Sequence, residues 1–480
     1  MTRDGNGRLA ALLATVGLAG AGLAAALAPA AQAETRAWRF QAEGVMGSTL
    51  QVVAVGDPSS ARAAADAALA EIARLDKVLS GWRADSELSA LNRADRLAVS
   101  AELFETIAAC ERWRAVSGGA FDARRGLDFE RLRTGAEADV APLPSPTLDA
   151  ATRTVVRPQA VRFEPDGLAK GQVIDAALAA ARTAAPALRG MMVEVGGDLR
   201  CWGEGPAGAG WIAGIAAPGE TADNAAPAVL VRAGGRALAV SGAESQGAIL
   251  GDAGHLQAAV LAPAAADADA LATALSAMPV DAGLAMVEAL PGAEARVVEA
   301  SGAVRATSGW ESLTAAPAQA PVLQRVAAAA AGWPARFALT IQYELPNQGS
   351  RAYAPYVAVW ITDEEGRLVR ALTMLGDDLD YVGENYIWWR RYGRARPQVV
   401  SAIARPTRPP GRHTVVWDGK DDMGGAVAQG RYTVHIEAVR ENGGHSYQTI
   451  GLTLGAQPAQ GAAAADEELG PAAVRYGPRG

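Results

Sequence analysis

The hydrophobic pattern of this chain changes once, in an Ala/Pro-rich stretch over residues 316–335. Before this stretch, short apolar runs alternate with Ala-rich segments whose apolar residues recur every three or four positions, a pattern typical of strands interleaved with amphipathic helices. After it, runs of alternating apolar and polar residues are separated by turns, which indicates an all-β domain. We therefore predict a mixed α/β or α+β domain over 34–315, a linker over 316–335, a small β-sandwich over 336–456 and a disordered tail over 457–480.

The first 33 residues have the pattern of a secretory signal peptide. Two arginines precede an apolar run over 9–27, and Ala31-Gln32-Ala33 is a small-x-small cleavage site. The alternative is a retained transmembrane anchor, because the run is long enough to span a bilayer. The Ala/Gly-rich composition and the position of the cleavage site favour removal before Glu34, so we expect an exported, periplasmic protein.

Charge and cysteine content argue against a nucleic-acid partner, thiol chemistry and a zinc site. The net charge of −8 argues against a nucleic-acid partner, because such binding needs a basic surface. The two cysteines, Cys110 and Cys201, either pair in an oxidising compartment or are separate small buried residues. Since the sequence has no Cys-x-x-Cys or Cys/His zinc spacing, it disfavours thiol chemistry and a zinc site.

Individual elements can be predicted from the spacing of apolar residues. In the first domain we predict helices over 59–79, 102–116 and 174–185, and strands over 50–55, 191–195, 211–215 and 237–240. In the second domain we predict strands over 356–361, 413–417 and 431–439.

The segment over 262–275 begins as a loop and continues as an Ala-rich helix. Asp269 and Thr273 are four residues apart, so their side chains share one face of that helix. A carboxylate and a hydroxyl together offer the hard oxygen ligands that Mg²⁺ or Ca²⁺ prefers. The alternative is that Asp269 only places a charge in the first turn and Thr273 is an ordinary helical residue.

Short clusters at predicted element boundaries combine glycine with polar residues. In chain order they are Met46-Gly47-Ser48, Ser80-Gly81-Trp82, 85–92, 117–122, 164–171, 194–198 and Ser241-Gly242, and His255 follows them. Glycine allows close backbone approach to a ligand and exposes N–H groups that bind phosphate. Lys170 lies at a predicted helix start, where phosphate binding is favoured, and the indole of Trp82 can stack on a flat ring. Taken singly, each cluster has a plainer alternative as a turn, a solvated lysine or a core tryptophan.

Taken in this order, the clusters resemble the ApbE-like flavin transferases (FAD:protein FMN transferases), over residues 38–308. The resemblance implies an α+β domain and an enzyme that moves FMN from FAD to a Thr or Ser hydroxyl of an exported acceptor protein, with release of AMP. It also implies FAD as substrate and Mg²⁺ as cofactor, with Ca²⁺ as the alternative. The implied partners are an acceptor carrying a Thr/Ser flavinylation motif and membrane redox proteins.

The resemblance also assigns roles to particular residues. It makes Asp269, Thr273 and the backbone carbonyl of Gly167 the metal ligands. The positions that contact FAD are Met46, Trp82, Ala120, Phe121, Asp122, Glu164, Lys170 and His255. Lys170 and His255 are also the candidate catalytic residues, and His255 either accepts the proton of the nucleophile or stabilises charge.

The sequence departs from the family pattern at two places. The family follows its His with an Asp-Pro-x-Thr-Gly turn, whereas here His255-Leu256-Gln257 leads directly into an apolar run. Glu164 followed by Pro165 replaces the usual Asp. The missing turn leaves two alternatives to a transferase, namely a non-catalytic flavin-binding or scaffold protein and an FAD pyrophosphatase that yields FMN and AMP.

The second domain resembles an uncharacterised periplasmic β-sandwich family that is often fused to these transferases. The matching segments are 356–361, 408–411, 416–422 and 430–433, and Trp417-Asp418-Gly419 also resembles a hairpin of Ig-like domains. An aromatic cluster either packs in the core and at the edge of the sandwich or forms a surface for a partner. Its members are Tyr386, Trp388, Trp389 and Tyr392. Relatives often carry an Asp-x-x-Ser-Gly-Ala-Thr run that resembles a flavin acceptor motif, and Thr407 is its weak counterpart here.

Overall fold

A computed structural model describes most of the chain. The described residues are 36–46, 48–137, 141–206, 208, 210–220, 222, 224–242, 253–315, 332–334, 336–347, 355–376, 385–393, 404–405, 408–422, 424–440 and 444–479. The predicted signal peptide, most of the predicted linker and Thr407 lie outside these residues. Within the described ranges, no helix combines the length and the apolar character needed to cross a membrane.

The first domain interleaves helices and strands. Its described helices are α1 (Pro58–Leu79), α2 (Glu87–Arg93), α3 (Ala101–Val116), α4 (Gly126–Arg133), α5 (Asp166–Ala184), α6 (Ala265–Ser276), α7 (Val280–Glu288) and α8 (Trp310–Leu313). Its described strands are β1 (Arg36–Val45), β2 (Ser48–Gly56), β3 (Arg96–Ala98), β4 (Thr147–Asp149), β5 (Thr154–Val156), β6 (Gly190–Val195), β7 (Asp198–Gly203), β8 (Ile212–Ile215), β9 (Val229–Arg232), β10 (Ala237–Gly242), β11 (Gln257–Ala262), β12 (Glu294–Val298) and β13 (Val304–Ala306).

An antiparallel sheet with strand order β1-β2-β6-β7-β10-β11-β12-β13 is the centre of the first domain. Side chains alternate between its two faces, as they must in a strand. In β2, Leu50, Val52 and Ala54 belong to the main core, which also contains α1, α5 and α6. Val53 and Val55 belong to a second core on the opposite face, which also contains β8 and β9. Because both faces are covered, the strands read as continuous apolar runs.

Helix α5 begins at Asp166, not at residue 174 as the apolar spacing predicted. The two glycines in its first turns, Gly167 and Gly171, made this segment look like a turn. Gly171 lies so close to the backbone of Ala265 in α6 that a Cβ atom would overlap it. The glycine therefore permits close packing of two helices and does not end one.

The two cysteines do not pair. Both are free and buried, Cys110 in a cluster beside α6 and Cys201 on the far side of the sheet. Burial raises the pKa of each thiol above its usual value, which makes both cysteines inert core residues.

The second domain is a β-sandwich, as predicted. Its described strands are β14 (Phe337–Leu345), β15 (Tyr356–Thr362), β16 (Leu368–Leu375), β17 (Ala404–Arg405), β18 (Gly411–Trp417), β19 (Gly430–Val439), β20 (His445–Leu454), β21 (Ala459–Ala463) and β22 (Ala472–Pro478). One sheet has the order β18-β14-β22-β21 and the other the order β17-β16-β15-β19-β20. The inward residues of both sheets form one core, which includes Tyr343, Trp417 and Tyr476.

The prediction of a disordered tail over 457–480 is wrong. Strand β21 pairs with β22, and β22 pairs with β14 in the middle of the first sheet of the sandwich. Ala472, Val474 and Tyr476 alternate into the core and are almost fully buried. The Ala/Gly-rich composition concealed this two-residue period, because small residues can line a sheet as well as a disordered segment.

The predicted aromatic cluster lies on the outer face of the second sheet. Trp388 is buried there, and Tyr386 is 43% exposed. The segment is held by Glu437 of β19, a fully buried carboxylate that accepts the backbone N–H groups of Ile387 and Trp388 at 2.9 and 2.8 Å. The packing alternative therefore holds for Trp388, and the partner surface stays a prediction.

A loop of the first domain pairs with an edge strand of the second. The side-chain amide of Asn224 donates to the carbonyl of Val416 at 2.6 Å and accepts the Val416 N–H at 2.9 Å. Ala222 forms a parallel β-bridge with Thr414 of the same strand, β18. The loop thus satisfies part of an edge that would otherwise expose unpaired backbone groups.

We expect Asn224→Ala to loosen this contact without unfolding either domain. Each lost hydrogen bond contributes about 1 kcal/mol, so exchange of the Val416 amide should accelerate about fivefold. Hydrogen–deuterium exchange of the peptide that contains β18 measures this. Asn224→Asp is the matched control, because it keeps the acceptor for Val416 N–H and replaces the donor by an oxygen that faces the Val416 carbonyl. Unchanged exchange in Asn224→Ala would show that the contact does not hold the domains together.

Candidate functional site

Helix α6 carries the predicted pair of oxygen ligands, and Asp175 of α5 holds its N-terminus. The two carboxylate oxygens of Asp175 accept the N–H groups of Ala265 and Ala266 at 2.9 and 3.1 Å. Arg200 of β7 donates to the same carboxylate at 2.5 Å. Since free N–H groups and the helix dipole both favour a carboxylate at this end, Asp175 fixes α6 against α5.

The three residues predicted as metal ligands are brought together where α5 meets α6. A Cβ atom built on Gly167 would lie 2.6 Å from Thr273 Oγ1, so the backbone at 167 lies directly against that hydroxyl. The N–H of Gly171 donates to Asp269 Oδ2 at 3.3 Å. A side chain at position 167 would displace Thr273, which explains why glycine is required here.

Lys170 is paired with a carboxylate from the central sheet. Its Nζ donates to Asp198 Oδ2 at 2.7 Å, and the N–H of Val240 donates to Asp198 Oδ1 at 3.3 Å. The side chain of Lys170 is 32% exposed and that of Asp198 is 5% exposed. Asp198 begins β7 directly after the Gly196-Gly197 turn, so the turn directs its carboxylate towards α5.

The charged groups in this cluster shift one another's pKa values. Burial raises the pKa of the Asp269 carboxyl well above its usual range, and the charge of Asp198 adds to the shift. Burial alone would lower the pKa of Lys170, but the charges of Asp269 and Asp198 outweigh it and raise that pKa. Two buried carboxylates therefore share one ammonium group, and the ionised cluster carries excess negative charge.

The donor set fits a divalent cation. Carboxylate, hydroxyl and backbone carbonyl are the hard oxygen donors of Mg²⁺ and Ca²⁺ sites. The excess negative charge beside Asp269 is what such a cation would neutralise. Among the described residues there is no group of three or more His, Cys, Asp or Glu side chains arranged to hold a metal ion. A site at Asp269 would therefore depend on Thr273 and on the carbonyl of Gly167.

Trp82 and Glu164 lie beside this cluster. Asp166, the neighbour of Gly167, lies beside the Trp82 side chain, which favours its ionised form. Burial raises the pKa of Asp166 to about 6, and the charge of Glu164 contributes to the shift. Trp82 is 71% exposed, so the core alternative does not apply to it. Glu164 is bound by both terminal nitrogens of Arg133, at 2.7 and 2.9 Å.

Other predicted FAD contacts occupy varied surroundings. Met46 lies in the turn between β1 and β2 with φ of 51°, a conformation that non-glycine residues rarely adopt. Phe121 is buried, with Ala120 packed beside it, in the cluster that contains Ala270 and Ala274 of α6. The carboxylate of Asp122 accepts two hydrogen bonds from Arg124, at 2.8 and 2.7 Å, so both of its oxygens are already engaged.

His255 lies against the C-terminal end of α6. Its Nε2 is 2.9 Å from the carbonyl of Met278, and since a carbonyl only accepts, Nε2 is the donor. In the neutral ring Nδ1 then has the free lone pair. Strand β11 begins at Gln257, so only Leu256 separates the imidazole from the sheet, in agreement with the missing turn.

Comparison with known families identifies the first domain. Residues 46–297, more than half of the chain, match the family model described as "ApbE family". The chain belongs to the ApbE family. Residues 338–471 match a second model, described as "Predicted periplasmic protein (DUF2271)". A comparison with curated proteins gave no match.

A solved ApbE structure has the same fold as the first domain. The ApbE protein of Thermotoga maritima aligns with a TM-score of 0.51 at 20% identity, over 58% of this chain and 100% of its own. A flavin transferase ApbE from Vibrio cholerae aligns at 0.49 and 21% identity, over 58% of this chain and 99% of its own. The apo flavinyl transferase ApbE of Pseudomonas stutzeri aligns at 0.47 and 21% identity, over 59% and 99%.

The predicted site residues all fall within the ApbE match, and the structure adds others to the same region. Asp166 and Asp198 lay in clusters that the sequence singled out and Asp175 four residues after one of them, but nothing in the sequence indicated which indole, lysine or helix each would contact. Arg133 gave no signal, because it is an ordinary basic residue in the last turn of α4.

Glu194 lies within electrostatic range of Arg408 of the second domain. It ends β6 beside the Gly196-Gly197 turn and accepts the N–H of Gly197 at 3.1 Å. Burial raises the pKa of Glu194, whereas the positive charge of Arg408 from the sandwich opposes the rise. The sandwich therefore contributes a positive charge close to the end of the sheet that carries Asp198.

Proposed function

We propose that the ApbE domain is an FAD:protein FMN transferase, which moves FMN from FAD to a Thr or Ser hydroxyl of an exported acceptor protein and releases AMP. The single observation that carries the proposal is the cluster of Lys170, Asp198 and Asp269 beside Gly167 and Thr273, inside a domain of this family. Phosphoryl-type transfer depends more on charged groups held in fixed positions than on covalent chemistry from the enzyme. This cluster provides such groups, because Lys170 is held by its bond to Asp198.

We propose that Asp269, Thr273 and the carbonyl of Gly167 hold Mg²⁺, with Ca²⁺ as the alternative. The ion would neutralise pyrophosphate charge and polarise the phosphorus that is attacked. Lys170, held by Asp198, supplies a second positive charge for the phosphates. Because Asp198 fixes the ammonium group, the lysine needs little reorganisation when FAD binds.

The proposed transfer balances as a single displacement at phosphorus. The acceptor oxygen forms a bond to the FMN phosphorus, the bond to the bridging pyrophosphate oxygen breaks, and that oxygen leaves with AMP. The proton of the attacking hydroxyl passes to a base. We assign this role to Nδ1 of His255, because Nε2 is occupied as a donor to Met278 and Nδ1 has the lone pair.

The second domain and the N-terminus support an extracytoplasmic setting. The family model that matches residues 338–471 is described as periplasmic, and the N-terminal 33 residues have the pattern of a signal peptide. We propose export to the periplasm, where the acceptor and its membrane redox partners would be found.

Release of AMP from FAD tests the proposal against its alternatives. The full chain is incubated with FAD and Mg²⁺, with and without a peptide that carries Asp-x-x-Ser-Gly-Ala-Thr, and with excess chelator as control. We expect AMP only when peptide and metal are both present. Equal AMP without peptide would instead identify an FAD pyrophosphatase. Tight FAD binding without AMP would identify a flavin-binding or scaffold protein.

A further inference from the structure

Trp82 is an exposed aromatic side chain in an unusually well-fixed position. Its loop is attached to α2, because Ser86 Oγ donates to the carbonyl of Ser80 at 2.7 Å and Ser89 Oγ donates to the carbonyl of Arg83 at 2.6 Å. Even so, the indole is 71% exposed. A large apolar ring held in water by a fixed loop is a candidate contact for a ligand.

Arg133 occupies one face of this ring. Its Cζ lies 5.3 Å from the centroid of the Trp82 ring, a cation–π distance. The same guanidinium binds both oxygens of Glu164, at 2.7 and 2.9 Å. The carboxylate thus fixes the plane and position of the guanidinium, and the guanidinium in turn supports the indole.

Asp166 lies beside the same indole. With Arg133 over one face and the side chain largely exposed, a ligand can approach the other face of the ring. That face is available for stacking, and Asp166 directly precedes Gly167 in the site. A flat ring stacked there would therefore lie beside the cluster of Lys170 and Asp269.

Building on the proposed function, we propose that Arg133 is a positioning residue that supports Trp82 from behind, so that the open face of the indole stacks on a flat ring of FAD. Arg133 has a second effect, because it neutralises Glu164, whose unpaired charge would repel the phosphates of FAD. The shared chemistry is aromatic stacking, and the ring is either the isoalloxazine or the adenine.

The test compares Arg133→Met, which keeps the aliphatic stem and removes the cation, with Arg133→Lys, which restores a cation without the bidentate fork. Arg131→Met is the matched control, because Arg131 is on the same helix and its partner Asp128 also has Arg125, at 3.1 Å. Flavin emission is the readout for binding, since the chain has 11 tryptophans and protein emission would not report on one of them.

We expect Arg133→Met to raise the KM for FAD about tenfold and to change kcat less than about twofold. Arg133→Lys should recover part of the loss, and Arg131→Met should behave as wild type. Riboflavin, followed by its own emission, and ADP, followed by its competition with FAD, identify the ring, because only the ligand that stacks on Trp82 should lose affinity in Arg133→Met. Equal affinity of wild type and Arg133→Met for all three ligands would overturn the inference.

This outcome differs from failure of the proposed function. If wild type bound FAD and the variants followed the expected order, but no AMP were released, the stacking role of Arg133 would stand and the transferase would not. If wild type did not bind FAD at all, both proposals would fall together. If Arg133→Met both bound FAD more weakly and unfolded at a lower temperature than Arg131→Met, the affinity of Arg133→Lys would decide. Partial recovery of FAD affinity in Arg133→Lys would support the positioning role, and no recovery would contradict it.

Discussion

Replacing Asp269 by asparagine should abolish AMP release and, at the same time, stabilise the metal-free protein. The amide keeps the shape of the carboxylate and can still accept the N–H of Gly171. It removes a carboxyl whose charged form is disfavoured by burial and by the charge of Asp198, so the free energy of unfolding should rise by about 1 kcal/mol. It also removes the anionic ligand of the proposed metal, so turnover should fall at least about a thousandfold, equivalent to about 4 kcal/mol of transition-state stabilisation.

The two effects of Asp269→Asn are measured separately, by AMP release at saturating FAD and by urea unfolding in the presence of a chelator. Asp267→Asn is the matched control, since Asp267 lies two residues earlier on the same helix and is only half-buried. It should change turnover by less than about twofold. An Asp269→Asn protein that retained turnover would contradict the assignment of this carboxylate to the metal. A less stable protein would contradict the repulsion between Asp269 and Asp198.

Replacing Lys170 by methionine should cost both stability and activity. The ammonium group is the cation that Asp198 and Asp269 share, so its loss leaves two buried carboxylates without a counter-charge. Breaking such a pair typically costs 3–5 kcal/mol; because Lys170 is 32% exposed, we expect about 2–4 kcal/mol. Turnover should be lost because the phosphates no longer meet a fixed positive charge.

A second variant separates the two effects of Lys170. In the double variant Lys170→Met/Asp198→Asn one of the two carboxylates left without a counter-charge is also gone, so stability should recover in part while turnover stays low. Thermal unfolding and AMP release are the two measurements. If turnover returned together with stability, Lys170 would act only as a structural partner of Asp198, and the proposed contact with phosphate would be rejected.

The fold could be predicted from the sequence where one apolar period dominates. The three- and four-residue spacing over 262–275 predicted a helix with Asp269 and Thr273 on one face, and α6 has this arrangement. The apolar run over 50–55 predicted β2. Its burial on both faces depends on the second core, which the sequence did not indicate. The β-sandwich followed from the alternating runs after residue 336.

Two features could not be predicted because local sequence does not determine them. The tail over 457–480 has a low-complexity composition, and only pairing with β14 gives its alternating residues a buried face. The predicted start of α5 was too late, because glycine is found in turns as well as at close helix–helix contacts. Here the contact between Gly171 and α6 determines that the segment is helical.

The sequence predicted which residues belong to the candidate site but not which of them contact each other. The sequence identified Lys170 and Asp269 through an ordered set of motifs, whereas the bond from Lys170 to Asp198 joins residues that are 28 positions apart. Arg133 shows the same limit more strongly, because its role depends on the positions of Trp82 and Glu164, which only the folded chain brings to it.

The most direct test of the transferase proposal is the intact mass of the acceptor peptide after incubation with the full chain, FAD and Mg²⁺. We predict that the peptide gains the mass of one FMN less water on its Thr or Ser, and that AMP appears in equal amount. Asp269→Asn should yield neither product. An acceptor of unchanged mass, despite FAD binding by the wild-type protein, would contradict the proposal that this ApbE domain transfers flavin to protein.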